Sequence, residues 1–196
     1  LAFGSCCLAA CFCRGITDML WVQGVRYGSK KPLFVPIEQV YYPVGGKSVT
    51  YLANSTGVAS RPNKNDAVQA AMLELIERDA FAVAWYAKRR LPKIPERQLP
   101  LGVLERVRAL RRKNRETVFL DLTLEQVPVV ACMISGERYP CLVMGSAAGT
   151  TFARAIGKSM NEAEFMLHSW RKTRKKPLVP EQVRSNLDHG ILFFHP

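Results

Sequence analysis

A long segment without glycine or proline constrains the fold of this chain most strongly. Residues 67–90 contain neither of these helix breakers, and alanine, leucine, methionine and glutamate dominate them. Asp66 stands just before the segment, where a short acidic side chain caps a helix or lies in its first turn. The segment therefore predicts a long helix. Because its residues are apolar on nearly every face, the pattern predicts that this helix is buried.

The remaining sequence predicts a mixture of strands and helices. Short alternating runs predict strands, and a turn signal at residues 135–140 separates two apolar runs that we expect to pair as an antiparallel hairpin. The predicted strands are 20–25, 32–36, 118–122, 127–134 and 141–147, and the predicted shorter helices are 101–113 and 153–172. This mixture predicts an α+β or mixed α/β fold.

Composition excludes some classes of protein and leaves the class of partner open. Hydrophobic residues make up 48% and charged residues 22%, which excludes a mainly disordered chain. The 28 lysines and arginines against 16 acidic residues give a net charge of +12, which attracts polyanions. The basic stretches lack the interleaved aromatic residues of a nucleic-acid surface, so we expect no nucleic-acid partner.

The cysteines favour a reducing compartment. None of the six cysteines has a partner at Cys-x-x-Cys spacing, and the three histidines lie far from the cluster of four near the N-terminus. The apolar content is sufficient for a core without disulfides. We therefore expect reduced thiols, a cytoplasmic location and no zinc cage.

The two ends of the chain suggest a fragment. The apolar start, residues 1–13, is too short to span a bilayer and follows no basic segment. The chain does not begin with methionine and stops in an apolar aromatic run. We expect a larger parent protein and no membrane partner.

Three acidic residues share one side of the predicted long helix. At about 100° per residue, Glu74 and Glu77 are about 60° apart, and Asp66 projects within about 80° of both from two to three turns upstream. Buried carboxylates are costly unless cations pair with them; Arg78 can neutralise one, and hard oxygen ligands favour magnesium. Spacing alone leaves an alternative, a solvated stripe in which Glu74 and Arg78 form a surface pair.

A second charged pair lies on the last predicted helix. Lys158 and Glu162 are four residues apart and therefore share a helix side. Spacing alone favours a surface ion pair between them.

Several motifs together resemble the YcaO family of ATP-dependent cyclodehydratases. A glycine-containing loop, residues 54–60, precedes Asp66, and eight residues later Glu74 opens the Glu-x-x-Glu-Arg signature that ends at Arg78. Other similar segments are residues 21–24, 35–43, 158–162 and 187–190. The resemblance covers residues 16–196 and implies a partial YcaO-like ATP-binding fold, whereas residues 1–15 are an unmatched N-terminal segment.

The resemblance implies ATP- and Mg²⁺-dependent activation of a peptide backbone amide. In that family a Cys, Ser or Thr side chain of the substrate adds to the preceding carbonyl, ATP phosphorylates the resulting oxygen, and phosphate leaves to give a thiazoline or oxazoline. Other members make thioamides or amidines. The implied substrate is a ribosomal precursor peptide, as for thiazole/oxazole-modified microcins, and a separate or fused leader-binding protein is the implied partner.

The resemblance also assigns roles to single positions. Glu74 and Glu77 would hold magnesium, as would Asp66, where the family usually has glutamate. Lys158 stands where the family usually has an arginine that faces phosphate. The residues with an implied role in ATP binding are Arg78, Lys158, Glu162, Ser60 and Asn63.

The chain departs from the family in one important respect. The family's upstream nucleotide-binding portion, which carries a second Glu-x-x-Glu helix, has no counterpart here. We therefore expect the parent protein to be the enzyme and the fragment alone to be inactive. The alternative is a non-catalytic, degenerate YcaO-like scaffold or peptide-binding subunit.

Overall fold

A computed structural model describes most of the chain and divides it into two units. It describes residues 21–29, 31–41, 55–173, 176, 178–183, 188, 191, 192 and 194. The units are residues 1–75 and 76–196, with the boundary inside a helix. The expectations for residues 1–15, for the end of the 35–43 segment and for most of residues 187–190 lie outside the described residues.

The first unit contains a β-hairpin and the beginning of the long helix. Strands β1 (Trp21–Val25) and β2 (Pro32–Pro36) pair antiparallel and confirm the first two predicted strands. Gly57, in the loop before the helix, has a φ of 77°, which favours glycine. A Cβ at Gly57 would also lie 3.3 Å from Leu75 Cδ2, so the loop packs tightly on the helix.

The long helix, α1, spans Lys64–Tyr86 and confirms the first prediction. Asn63 caps its start: the Asn63 Oδ1 accepts a 2.9 Å hydrogen bond from the Asp66 N–H, and Asn63 Nδ2 donates to Asp66 Oδ2 over 2.6 Å. This reciprocal arrangement satisfies an N–H that has no partner within the helix. It also explains why the helix begins three residues before the apolar segment.

Burial along α1 shows that one prediction is wrong, because the helix is not buried on every side. Its only buried residues are Ala80 and Ala84, whereas Trp85 and Tyr86 are 52% and 83% exposed. The two alanines lie three and seven residues after Glu77, so all three share one helix face. The composition of a helix shows how apolar it is, but its burial depends on which of its sides contact other elements. In α1 only the stripe with Ala80 and Ala84 is buried.

The second unit is a three-stranded antiparallel sheet with two helices packed on it. The strands are β3 (Glu116–Asp121), β4 (Val129–Ser135) and β5 (Leu142–Ala148), in the order β3-β4-β5. This order confirms the predicted hairpin. The helices are α2 (Leu101–Arg111), which contacts β3, and α3 (Phe152–Thr173), which lies on β4 and β5. The observed mixture of helices and antiparallel sheets confirms the predicted fold class.

The core of the second unit lies between α2, α3 and the sheet. Completely buried side chains come from β4 and α3, and aromatic residues close the core near the end of α3. Its members include Val107, Phe119, Val130, Ile134, Met160 and Trp170. None of the helices among the described residues combines the length and the hydrophobicity that a membrane crossing requires.

Small residues bring β5 unusually close to α3. Ala155, Ser159 and Ala163 are all fully buried and follow each other at intervals of four on α3. Opposite them, a Cβ on Gly145 would lie 2.4 Å from the Ala163 nitrogen and 2.5 Å from the Ser159 carbonyl oxygen. Only glycine therefore fits at this position of β5. The close approach fixes the next residue, Ser146, against the side of α3.

Candidate functional site

Two carboxylates from different helices meet at Ser146 on β5. The Ser146 hydroxyl donates a 2.6 Å hydrogen bond to Glu77 Oε1, and the Ser146 N–H donates to Glu162 Oε2 over 3.2 Å. The Ala148 N–H also donates to the Glu77 carboxylate. We call Glu77 and Glu162 the acid pair. The structure thus brings together two residues that sequence reasoning had selected from separate motifs.

The local backbone explains why the acid pair forms. Glu77 lies on the face of α1 that carries the buried Ala80 and Ala84. Glu162 lies beside Gly145, where a Cβ would come within 2.6 Å of the Glu162 Cβ. Because β5 touches α3 at Gly145, both the hydroxyl and the N–H of Ser146 reach the acid pair.

Sequence reasoning missed Ser146. It lies inside an apolar run whose pattern predicts only a strand, and none of the motifs contains it. The available signal is weak: a hydroxyl residue follows a glycine and precedes two alanines within a buried strand. The glycine is the part of this signal with a known physical meaning, because a glycine inside a strand often marks a place where another backbone approaches closely.

The electrostatics of the acid pair favour a bound cation. Burial raises the pKa of the Glu77 carboxyl above its ordinary value, and the nearby Glu162 charge raises it further. Hydrogen bonds from Ser146 and Ala148 and the charge of Arg78 oppose this rise without cancelling it. Glu77 is therefore half-buried and hydrogen-bonded, unlike a carboxylate of a solvated stripe. The solvated alternative fails for Glu77.

Metal-free protein should lose stability as pH rises through the titration of Glu77. The reference carboxyl titrates at 4.5 and the folded one at higher pH, so in this window the folded state holds a proton that the unfolded state has released. The free energy of unfolding therefore falls from about pH 4.5 upward until the folded group has ionised. Glu77→Gln should remove this fall. Thermal midpoints of both proteins in a chelator, measured against pH, check it; identical pH profiles would contradict it.

Lys158 and Glu162 do not form the surface ion pair that spacing alone favours. Both side chains are exposed and lie one turn apart on the same side of α3. Between these two described residues there is no ion pair, and Glu162 instead accepts the Ser146 N–H. The exposed Lys158 side chain is therefore not held by Glu162.

The other predicted site residues are placed individually. Glu74 is half-buried and Arg78 is exposed, and both have polar partners. Asp66 and Asn63 are exposed and bond each other at the start of α1. Ser60 is exposed in the preceding loop. The structure therefore explains Asp66 and Asn63 as a helix cap and gives no polar contact that fixes Ser60.

The oxygen atoms at the acid pair are suited to magnesium. Among the described residues, no group of three or more His, Cys, Asp or Glu side chains is close enough to hold a metal by itself. Magnesium seldom needs such a group, because it usually keeps water and phosphate ligands and takes one or two carboxylates from the protein. Glu77 and Glu162 supply that number of carboxylates, and Ser146 holds both in position.

Comparison with known families gives one match that covers most of the chain. The model of the family described as YcaO cyclodehydratase, ATP- and Mg²⁺-binding, matches residues 14–193. No curated protein matches the chain.

Solved structures with the same fold agree with the family match. The YcaO protein from Methanopyrus kandleri bound with AMPPCP and Mg²⁺ is 26% identical, with a TM-score of 0.70 over 87% of this chain. A heterocyclase in complex with substrate and cofactor is 21% identical, with a TM-score of 0.68 over 86% of the chain. The Escherichia coli microcin synthetase McbBCD complex with pro-MccB17 bound is 14% identical, with a TM-score of 0.63 over 87%. The chain spans 46%, 23% and 46% of these three chains, respectively.

Proposed function

The chain belongs to the YcaO family of ATP- and Mg²⁺-binding cyclodehydratases, and on this premise we propose that it forms part of a site that activates a peptide backbone amide. The substrate would be a ribosomal precursor peptide and the product a thiazoline or oxazoline. The observation that carries the proposal is the acid pair, in which Ser146 holds two carboxylates from distant parts of the sequence side by side.

The acid pair would hold magnesium beside the phosphates of ATP. The half-buried charge of Glu77 and the neighbouring charge of Glu162 repel each other, and a divalent cation bound between them would replace this repulsion by attraction. Glu74, one turn before Glu77 on α1, is proposed as a further ligand. Asp66 lies three turns before Glu77, too far along the helix to share its ion, so magnesium at Asp66 would be a separate one.

The cationic residues would face the nucleotide. Lys158, beside Glu162 on α3, would neutralise phosphate oxygens, and Arg78 would either do the same or secure the acidic residues of α1. Ser60 and Asn63 remain proposed nucleotide contacts in the loop before α1. When bound, Mg²⁺·ATP supplies the phosphoryl group that makes the amide oxygen a leaving group. Phosphoryl transfer depends mainly on positioning and charge neutralisation, which these residues can provide.

Two further parts of the proposal concern partners and location. One heterocyclase structure contains a substrate, and the microcin synthetase is a complex with pro-MccB17 bound; both support a peptide substrate and partner proteins in general. That one partner binds the leader of the peptide is part of our proposal. A cytoplasmic location also stays part of the proposal. Among the described residues, Cys132 and Cys141 are free thiols.

Lys158→Ala should weaken nucleotide binding and leave the fold intact. Loss of one charge-assisted contact to phosphate should lower the AMPPCP affinity about tenfold in the presence of Mg²⁺. The circular dichroism spectrum should not change, because Lys158 is exposed. Calorimetric titration of the 196-residue chain with AMPPCP and Mg²⁺ checks this, with Lys172→Ala, another exposed lysine of α3, as the matched control. Equal affinities of wild type and Lys158→Ala would contradict a contact between Lys158 and the nucleotide.

A further inference from the structure

A basic groove lies on the side of α3 that faces away from the acid pair. It encloses about 980 Å³ and is lined by residues of α2, the α2–β3 connection, α3 and the β4–β5 connection. Glu164, in the groove, follows Glu162 by two residues, which corresponds to about 200° around the helix. The groove is therefore a different surface from the proposed nucleotide site.

The groove carries positive charge that carboxylates do not balance. Its lining includes the five basic residues Arg106, Lys113, Arg115, Arg138 and Arg171. Glu164, the one carboxylate among the described residues that line the groove, is already engaged by Arg106 through two hydrogen bonds, the shorter of 2.6 Å. No carboxylate in the described part of the chain pairs with Lys113, Arg138 or Arg171. The groove thus has several cationic groups available to an anionic ligand.

Arg115 adds a fixed positive charge to the floor of the groove. It is buried, with 6% of its surface exposed, and its guanidinium donates to the carbonyl oxygens of Pro140 and Arg138 at 2.5 Å each. Burial lowers the pKa of Arg115, and the nearby charges of Arg171 and Arg138 lower it further, against the opposing effect of Cys141. Carbonyl oxygens satisfy its N–H groups but leave its charge uncompensated.

Apolar side chains complete the chemistry of the groove. Leu110 and Leu167 are almost fully buried in its wall, and the Phe165 ring is 71% exposed at its edge. An arginine side chain recognises a carboxylate through paired N–H groups, and the exposed Phe165 side chain offers apolar surface to a ligand. The combination suits a ligand that alternates acidic and apolar groups.

We propose that this basic groove binds a peptide segment that carries both acidic and apolar side chains. A nucleic acid fits the lining less well, because Phe165 is the one strongly exposed aromatic residue among the groove's described residues, and nucleic-acid grooves use successive aromatic residues for stacking. Binding here involves neither the acid pair nor ATP. This proposal can therefore fail while the proposed function holds, and the proposed function can fail while this proposal holds.

A direct test measures binding of a labelled peptide without nucleotide or magnesium. The probe is a short fluorescein-labelled peptide rich in glutamate and leucine, and fluorescence anisotropy is recorded at several salt concentrations. The variant Arg138→Glu/Arg171→Glu reverses two exposed charges of the groove. The variant Arg89→Glu/Arg97→Glu reverses two exposed charges outside it and serves as the matched control. Circular dichroism verifies that both variants fold.

The proposal expects affinity for the acidic peptide to fall about tenfold or more in the groove variant and to stay near wild type in the control. A peptide with glutamine in place of glutamate should bind much more weakly. Three outcomes would overturn the proposal: no binding of the acidic peptide, an equal loss in both variants, or stronger binding of a single-stranded DNA oligonucleotide than of the peptide.

Discussion

Glu77→Gln is expected to lower the Mg²⁺·AMPPCP affinity of the chain on the order of a hundredfold. Glutamine keeps the shape of the side chain and can still accept the Ser146 hydroxyl, but it removes the charge that holds the cation. The same substitution relieves the repulsion from Glu162 and the cost of a half-buried charge. The metal-free variant should therefore be at least as stable as wild type at neutral pH.

The combination of these two effects separates the metal role from a structural role. A carboxylate that mainly stabilises the fold would, when neutralised, lower the thermal midpoint. Calorimetric titration gives the affinity, and thermal unfolding of the same samples in a chelator gives the stability. Glu125→Gln, an exposed glutamate in the loop before β4, is the matched control and should change neither quantity. A destabilised Glu77→Gln protein with normal affinity would assign Glu77 to the fold.

Gly145→Ala should destabilise the second unit by about 2–3 kcal/mol, the upper part of the range for an overpacked core. The added Cβ would lie 2.4 Å from the Ala163 nitrogen and 2.5 Å from the Ser159 carbonyl oxygen, and both are backbone atoms of α3. Backbone atoms cannot move aside as the end of a side chain can, so β5 and α3 must separate. Denaturant unfolding measures the loss.

Gly157→Ala is the matched control for Gly145→Ala. It changes another glycine of the same region, within α3, where an added Cβ meets nothing within 4 Å. Because alanine favours the helical conformation more than glycine does, the free energy of unfolding of this variant should rise by up to about 1 kcal/mol. The separation of β5 from α3 in Gly145→Ala should also draw Ser146 away from Glu162 and weaken Mg²⁺ binding. Equal stabilities of the two variants would contradict the close approach.

Local signals explain the parts of the fold that could be predicted. Proline and glycine in the segment 135–140 separate two apolar runs and mark the β4–β5 hairpin, while the absence of both residues in 67–90 marks α1. These signals act between neighbouring residues. They can therefore be recognised in the sequence without knowledge of the fold.

Contacts between distant residues explain the parts that could not be predicted. The Ser146 hydroxyl bonds Glu77, which is 69 positions away, and this contact requires the close approach of β5 to α3 at Gly145. No spacing rule links these residues. The prediction that α1 is buried on every side is wrong for the same reason. How many sides of a helix are packed depends on the elements around it. The family resemblance selected Glu77 and Glu162 separately, and only the fold pairs them.

The central claim is that Glu77 and Glu162 hold one cation together. A double-mutant cycle tests it most directly, with Mg²⁺·AMPPCP affinity measured for wild type, Glu77→Gln, Glu162→Gln and the double variant. If both carboxylates bind the same ion, each single substitution should remove most of the affinity, and the double variant should be scarcely weaker than the weaker single variant. Independent losses that simply add, or full affinity in either single variant, would contradict a shared site.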